Sequence, residues 1–214
     1  MSQADQSHIN SPKPNVIGVA GYFGAGKDKF AEMLKQQLEA RGFKVGMISS
    51  GDLIRQYVRD NDLGDPADRD VLRKTVDEVG AQYGYTYWLE QSIDQASRAG
   101  IDILLYPGLR QAVEANFLHD RGDIILTLDA PLEVRYQRAQ QRGRAGDDVD
   151  FETFKANEEA ERAGTAQQID AVTQAADTTV LNNGSLEQLE QVAAAIAQTY
   201  PRKPEPRYNA DAKP

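Results

Sequence analysis

Short apolar segments alternate with longer amphipathic segments along most of the chain. The near-continuous apolar character of the short segments is typical of parallel strands that are covered on both faces. Because helical patterns separate these segments, the sequence predicts βαβ crossovers and a three-layer α/β sandwich. The predicted strands are Asn15–Gly21, Lys44–Ser49, Ile101–Tyr106, Asp123–Asp129 and Thr178–Asn182.

Two of the predicted helices carry clear local signals. After the first strand, Phe30, Leu34 and Leu38 recur every four residues, which indicates an amphipathic helix. Near the other end of the chain, Ser185 and Gln188 have the spacing of a capping box before a second apolar period. These helices would flank the predicted sheet.

The length of the chain, 214 residues, suits one domain. Residues 1–14 and 200–214 are polar and contain prolines, without an apolar period. We therefore expect a disordered N-terminal segment, a flexible C-terminal tail and a folded domain over residues 15–199.

Composition narrows the classes of function. The net charge of −9 disfavours a nucleic-acid partner, since phosphate backbones require a basic surface. The chain has no cysteine and two histidines, so thiolate or histidine-rich metal sites are not expected. It has no apolar run of membrane-spanning length and no signal-peptide pattern at its start, so we expect a cytoplasmic protein without a membrane partner.

The segment "GYFGAGKD" has the spacing of a phosphate-binding loop through its lysine. It follows a predicted strand and opens a predicted helix, where backbone N–H groups and the helix N-terminus can bind phosphates. The alternatives are a glycine-rich turn with an exposed lysine and, less well matched, a dinucleotide-binding turn. The predicted ATP-binding residues are Gly21, Phe23, Gly24, Ala25, Gly26, Lys27 and Asp28.

Charged residues follow the next two strands. Asp52 and Arg55 come after the second strand and Arg110 after the third. Because ligands bind outside the carboxyl ends of parallel strands, these residues can form a clamp for a phosphate-bearing acceptor. The alternative is a surface helix capped by Asp52.

A basic segment follows the fourth strand, with Arg135, Arg138, Arg142 and Arg144. Arg138 and Arg142 share a helix face, and the glycines that follow are typical of a short mobile lid, over about residues 142–150. This cluster predicts an anion site, although a solvated basic helix end is an equal alternative.

Two further segments are less specific. The aromatic residues Tyr83, Tyr85, Tyr87 and Trp88 either stack on a base or, more commonly, pack in a core. The segment "LNNGSLEQ" after the last strand is either a base contact or a helix cap.

In their order along the chain, "GYFGAGKD", "SGDLIR", "PGLRQAVEANFL", "DAPLEVRYQRAQQRGR" and "NNGSLEQL" resemble the P-loop nucleoside monophosphate kinase superfamily. The resemblance is to archaeal adenylate-kinase-like and dephospho-coenzyme-A-kinase-like proteins and to deoxynucleoside monophosphate kinases. It implies a five-stranded parallel sheet of order 2-3-1-4-5, an acceptor-binding region over about residues 50–100, and a lid after the fourth strand.

The resemblance also implies roles for single residues. Asp52, Arg55 and Arg110 match the acceptor site. On the ATP side, Arg138 matches an arginine that stacks on adenine and Arg142 a lid arginine on the phosphates, and both are candidate catalytic residues together with Lys27. Asn182 and Gly184 match positions beside the adenine.

One departure from the family pattern concerns the metal. An aspartate usually ends the third strand and holds Mg²⁺ through water, but this chain has Pro107 there, in "LLYPGLR". We expect Asp28 to supply the missing charge, because Mg²⁺ prefers oxygen ligands. The alternative is that Asp28 only caps the helix.

The sequence thus favours a kinase that uses ATP and Mg²⁺ to phosphorylate a nucleoside or deoxynucleoside monophosphate. A kinase for dephospho-coenzyme A or another phosphorylated metabolite is the second hypothesis, and a nucleotide sensor without activity is the third. A homodimer is also compatible with the sequence.

Overall fold

The computed structural model describes residues 13–143, 148–163 and 168–199. Most of the two predicted terminal segments, Arg144 and part of the predicted lid lie outside the described residues. The elements are β1 (Asn15–Gly21), α1 (Lys27–Ala40), β2 (Val45–Met47), α2 (Ser50–Asp60), α3 (Arg69–Tyr83), α4 (Tyr87–Arg98), β3 (Ile103–Pro107), α5 (Ala112–Asp120), β4 (Ile124–Asp129), α6 (Leu132–Arg142), α7 (Phe151–Ala163), α8 (Ile169–Gln174), β5 (Thr178–Leu181) and α9 (Leu186–Thr199).

The five strands form one parallel sheet in the order β2-β3-β1-β4-β5. This confirms the predicted three-layer α/β fold and the strand order 2-3-1-4-5. Each predicted strand is present, with small shifts at the ends: β2 is shorter than expected, and β3 extends to Pro107.

Helices cover both faces of the sheet. Ile17 and Val19 of β1 point to one face, where they pack with α1 and α9. Val16 and Ala20 point to the other face, where α4, α5 and α8 pack. Both faces of β1 are therefore buried, which explains why its sequence is apolar without alternation.

The capping box predicted before the last helix is present. Gln188 Oε1 accepts a hydrogen bond from the Ser185 backbone N–H at 2.9 Å, and Ser185 Oγ accepts one from the Gln188 backbone N–H at 3.4 Å. The cap fixes the start of α9 directly after β5, and so it fixes the loop that carries Asn182 and Gly184.

The region between β2 and β3 folds as three helices, α2, α3 and α4, around a small apolar cluster. Ile54, Val79 and Trp88 are buried there. Trp88 is thus part of a core, which was the more common of the two alternatives for the aromatic segment. Tyr83 stacks on Tyr87 with ring centroids 5.1 Å apart and remains largely exposed.

No helix in the described ranges has both the length and the apolar character needed to cross a membrane.

Candidate active site

The glycine-rich loop between β1 and α1 has a shape that requires glycine at two positions. Gly24 and Gly26 have φ angles of 78° and 89°, in the left-handed region that other residues avoid. A Cβ atom at Gly24 would lie 2.6 Å from the Arg135 carbonyl oxygen, and one at Gly26 would overlap the Asn182 side-chain amide. The loop is therefore packed tightly against its neighbours as well as strongly curved.

Asn182, in the loop between β5 and α9, supports this glycine-rich loop from behind. Its side-chain amide donates to the Ala25 carbonyl oxygen at 2.8 Å, and its backbone N–H donates to the Asp129 carbonyl oxygen at 2.7 Å. Because Asn182 is buried, these bonds are shielded from water. Gly184, in the same loop, is exposed.

Arg138 on α6 joins the same group. Its Nη2 atom lies 3.4 Å from Asn182 Oδ1. Within the described parts of the chain, its buried Nη1 atom has no hydrogen-bond partner. Burial lowers the pKa of the Arg138 guanidinium below its usual value. A buried donor without an acceptor is costly, so a ligand that accepts from Nη1 would bind favourably here.

Arg135, one turn earlier on α6, corrects the sequence interpretation of the arginine cluster. Its side chain is buried, with 6% of its surface exposed, and forms an ion pair with Glu158 of α7, in which Nη2 donates to Oε1 at 2.9 Å. Its guanidinium also donates to the Ala130 and Phe23 carbonyl oxygens and lies over the Tyr22 ring. Arg135 therefore fixes the loop to α6 and α7 and is not available to an incoming anion.

The loop residue Phe23 contacts two parts of the structure near the predicted lid. Arg142, at the end of α6, places its guanidinium 4.6 Å from the Phe23 ring centroid, and Phe154 of α7 lies 5.8 Å from it, centroid to centroid. The helix that follows the predicted lid is thus packed on the loop.

Lys27 and Asp28 form the first turn of α1. Lys27 is partly buried and Asp28 is exposed. The helix N-terminus, the curved glycine backbone, Lys27 and the Arg138 Nη1 atom could all bind the phosphates of a nucleoside triphosphate that lay over the loop.

The structure gives Mg²⁺ few protein ligands. Pro107 is the buried last residue of β3, paired in register with Val19, so the usual carboxylate has no counterpart there. Among the described residues, no group of three or more acidic or histidine side chains could hold a metal. A Mg²⁺ ion bound at this site would therefore depend mainly on waters and phosphate oxygens, which are its usual ligands beside nucleotides.

On the acceptor side, Asp52 and Arg55 lie in the first turns of α2. Arg55 Nη1 is 3.4 Å from Asp52 Oδ1, and the Arg55 and Asp52 side chains are 46% and 78% exposed, respectively. This is a surface pair of low intrinsic strength. Both side chains are therefore accessible to a ligand at the carboxyl end of β2.

Arg110 lies in the neighbouring loop, between β3 and α5, and its side chain is exposed. Its backbone is held on both sides. The Arg110 N–H donates to Glu114 Oε2 at 3.2 Å, and the Arg110 carbonyl oxygen accepts from the Gln168 N–H at 2.8 Å. Burial raises the pKa of the Glu114 carboxyl.

Glu114 and Gln168 did not stand out in the sequence as residues of the site. Glu114 was detectable in principle, because Gln111 and Glu114 have capping-box spacing. Gln168 had no signal, because its contact with Arg110 spans 58 positions. Asp170, which accepts a hydrogen bond from the Tyr22 hydroxyl, was equally unpredictable for the same reason.

A family model described as an AAA domain matches residues 17–164, more than half of the chain. The chain belongs to this family, and its fold and relatives place it in the P-loop kinase-like superfamily.

A UPF0200 protein of Methanosarcina barkeri is 26% identical over 88% of this chain and 97% of its own. A dephospho-CoA kinase of Syntrophotalea carbinolica is 27% identical over 92% of this chain and 99% of its own. Among solved structures, a shikimate kinase from Acinetobacter baumannii in complex with shikimate aligns with a TM-score of 0.52 and 21% identity, over 87% of this chain and 90% of its own. The last similarity bears on the fold alone.

Proposed function

We propose that this protein is an ATP-dependent phosphotransferase acting on a small phosphorylated acceptor, in the first instance a nucleoside or deoxynucleoside monophosphate. The observation that carries the proposal is the glycine-rich loop. Its left-handed Gly24 and Gly26 fit against Arg135 and Asn182, and Lys27 begins the helix that follows. This arrangement suits a triphosphate whose oxygens accept from backbone N–H groups.

Transfer of the γ-phosphoryl group needs positioning and positive charge more than covalent chemistry. In this proposal Lys27 and Arg142 stabilise the charge on the transferring group, while Arg138 binds the nucleotide beside Asn182. Bound Mg²⁺ would neutralise charge on the phosphate oxygens. Asp52, Arg55 and Arg110 would hold the acceptor at the adjacent strand ends.

A second candidate acceptor is dephospho-coenzyme A, favoured by the similarity to the Syntrophotalea carbinolica kinase along nearly the whole of both chains. The two acceptors differ in chemistry. A monophosphate is already an anionic nucleophile, whereas a hydroxyl acceptor requires a group that takes its proton. The exposed carboxylate of Asp52 would be that group at the acceptor side.

The test is ADP formation by the purified protein with ATP and Mg²⁺ and each of a panel of ribonucleoside monophosphates, deoxynucleoside monophosphates and dephospho-coenzyme A. The Lys27→Ala variant, purified in parallel, controls for contaminating kinases. Turnover with one monophosphate well above all others supports the first proposal, and turnover with dephospho-coenzyme A alone supports the second. ATP binding without turnover of any acceptor contradicts both and favours a nucleotide sensor.

A further inference from the structure

Glu114 is the most deeply buried acidic residue near the acceptor side of the site, with 6% of its surface exposed. A glutamate in the first turn of a helix already interacts favourably with the helix dipole when its carboxylate remains in water. Burying a carboxylate costs free energy unless several donors satisfy it. The position of Glu114 therefore calls for a reason beyond capping α5.

Three donors converge on this carboxylate. The Arg110 and Gln111 backbone N–H groups donate to Oε2 at 3.2 and 3.1 Å, and the Tyr106 hydroxyl donates to Oε1 at 3.1 Å. Tyr106 is itself fully buried in β3. The carboxylate thus links the end of a central strand to the two residues that carry the acceptor-side loop into α5.

The rest of this loop is anchored as well. The Gly108 N–H donates to the Val19 carbonyl oxygen at 3.0 Å, and the Leu109 side chain is fully buried. With the Arg110 carbonyl oxygen bonded to Gln168, the Arg110 backbone has a fixed position. The Arg110 residue is exposed, while these contacts hold the backbone of the loop around it.

We infer that Glu114 is a positioning residue, whose buried carboxylate fixes the loop of residues 107–111 so that the Arg110 guanidinium meets the acceptor phosphate; this inference rests on the proposed function. The three hydrogen bonds offset the cost of burying Glu114, and they hold the Arg110 backbone in place before substrate binds. Burial raises the pKa of Glu114, and the hydrogen bonds from the two backbone N–H groups oppose part of this rise. An alanine at this position would leave the loop without its central acceptor.

The experiment compares the parent protein with Glu114→Ala and Glu114→Gln in two measurements. The first is amide hydrogen exchange at Arg110 and Gln111. The second is the KM for the best acceptor and for ATP. A glutamine keeps the inferred geometry, since its carbonyl oxygen can accept both backbone N–H bonds and its amide can donate to the Tyr106 oxygen.

We expect Glu114→Ala to lose protection at both amides and to raise the acceptor KM by up to about tenfold, the full effect of losing Arg110, with little change in the KM for ATP. Glu114→Gln should restore most of both properties. Asp123→Ala is the matched control. Asp123 is also buried, and its carboxylate accepts the Val16 backbone N–H at 2.7 Å. It lies at the amino ends of β1 and β4, whereas the acceptor side lies at the carboxyl ends of the strands, so Asp123→Ala should lower stability without changing the ratio of the two KM values.

The outcomes separate the inference from the proposed function. Lost protection with an unchanged acceptor KM, unchanged protection in Glu114→Ala, or an equal rise in both KM values would overturn the positioning role while leaving the kinase proposal intact. A parent protein that phosphorylates no acceptor in the panel would overturn the proposed function, and the positioning role with it.

Discussion

The two halves of the candidate site are built differently. The donor half, around the glycine-rich loop, is held by buried groups: Asn182 bonds the Ala25 carbonyl oxygen, and Arg135 bonds the Phe23 carbonyl oxygen and Glu158. The acceptor half presents Arg55 and Arg110 with exposed side chains. In the donor half both the backbone and the side chains are thus held in place, whereas in the acceptor half only the backbone is.

This difference has consequences for binding. Preorganised donors lose little entropy when a ligand arrives, and so they contribute most to stabilising charge that develops in the transition state. Exposed arginines must lose rotamer freedom and hydration when they bind an anion. We therefore expect donor-side substitutions to lower turnover most, and acceptor-side substitutions to act mainly on acceptor affinity.

The largest effect is expected from Lys27→Ala. Lys27 lies at the N-terminus of α1 directly after Gly26, and its removal should lower turnover by about two orders of magnitude or more, as for other preorganised electrostatic groups. Steady-state rates measure this. The control is Lys29→Ala on the same helix, whose exposed side chain pairs with Glu32 at 3.3 Å. Turnover of Lys27→Ala equal to that of the control would contradict the kinase proposal.

A smaller and different effect is expected from Arg55→Ala and Arg110→Ala. Each substitution removes one charged partner of the acceptor phosphate, so the acceptor KM should rise about tenfold. This is the low end of the range for losing a hydrogen bond to a charged group, because both side chains are exposed. The KM for ATP should stay near the parent value. Separate titrations of ATP and acceptor measure both.

Lys35→Ala is the control for these two variants, since Lys35 forms a comparable exposed pair with Glu39 at 3.6 Å on α1, away from the acceptor side. If either arginine variant weakened ATP and acceptor equally, the division of the site into two halves would be wrong.

The same contrast explains what sequence could predict. The apolar pattern located all five strands, and its signal was strongest for β1, β3 and β4, which are buried on both faces. The glycine-rich loop was recognisable because left-handed backbone and close packing demand glycine at fixed spacing. The bonds that hold the site are different, since Arg135 to Glu158 and Arg110 to Gln168 join distant segments. A charged residue in a sequence does not reveal whether it faces solvent or a buried partner, which is why Arg135 was assigned to the anion site.

The smallest effect is expected from substitution of Asp28. It also tests the comparison of the two halves, because Asp28 lies in the donor half but is exposed. Its carboxylate lies in the donor half, on the first turn of α1, yet it is exposed like the acceptor arginines. We propose that it provides charge for Mg²⁺ in place of the carboxylate that Pro107 lacks. Because a solvated carboxylate acts weakly and through water, Asp28→Asn should raise the Mg²⁺ concentration for half-maximal turnover by no more than about fivefold.

The measurement is turnover against Mg²⁺ concentration at fixed ATP, joined to calorimetric binding of ATP with and without Mg²⁺, which reports on the metal without depending on activity. Asp28→Ser restores the hydroxyl of the common loop and should recover only part of the loss, because a hydroxyl is a ligand without charge. Glu32→Gln, one turn further along α1, removes an exposed carboxylate that pairs with Lys29 and should change neither curve. If Asp28→Ser matched the parent at limiting Mg²⁺, charge at position 28 would be unnecessary, and Asp28 would act only on the helix N-terminus.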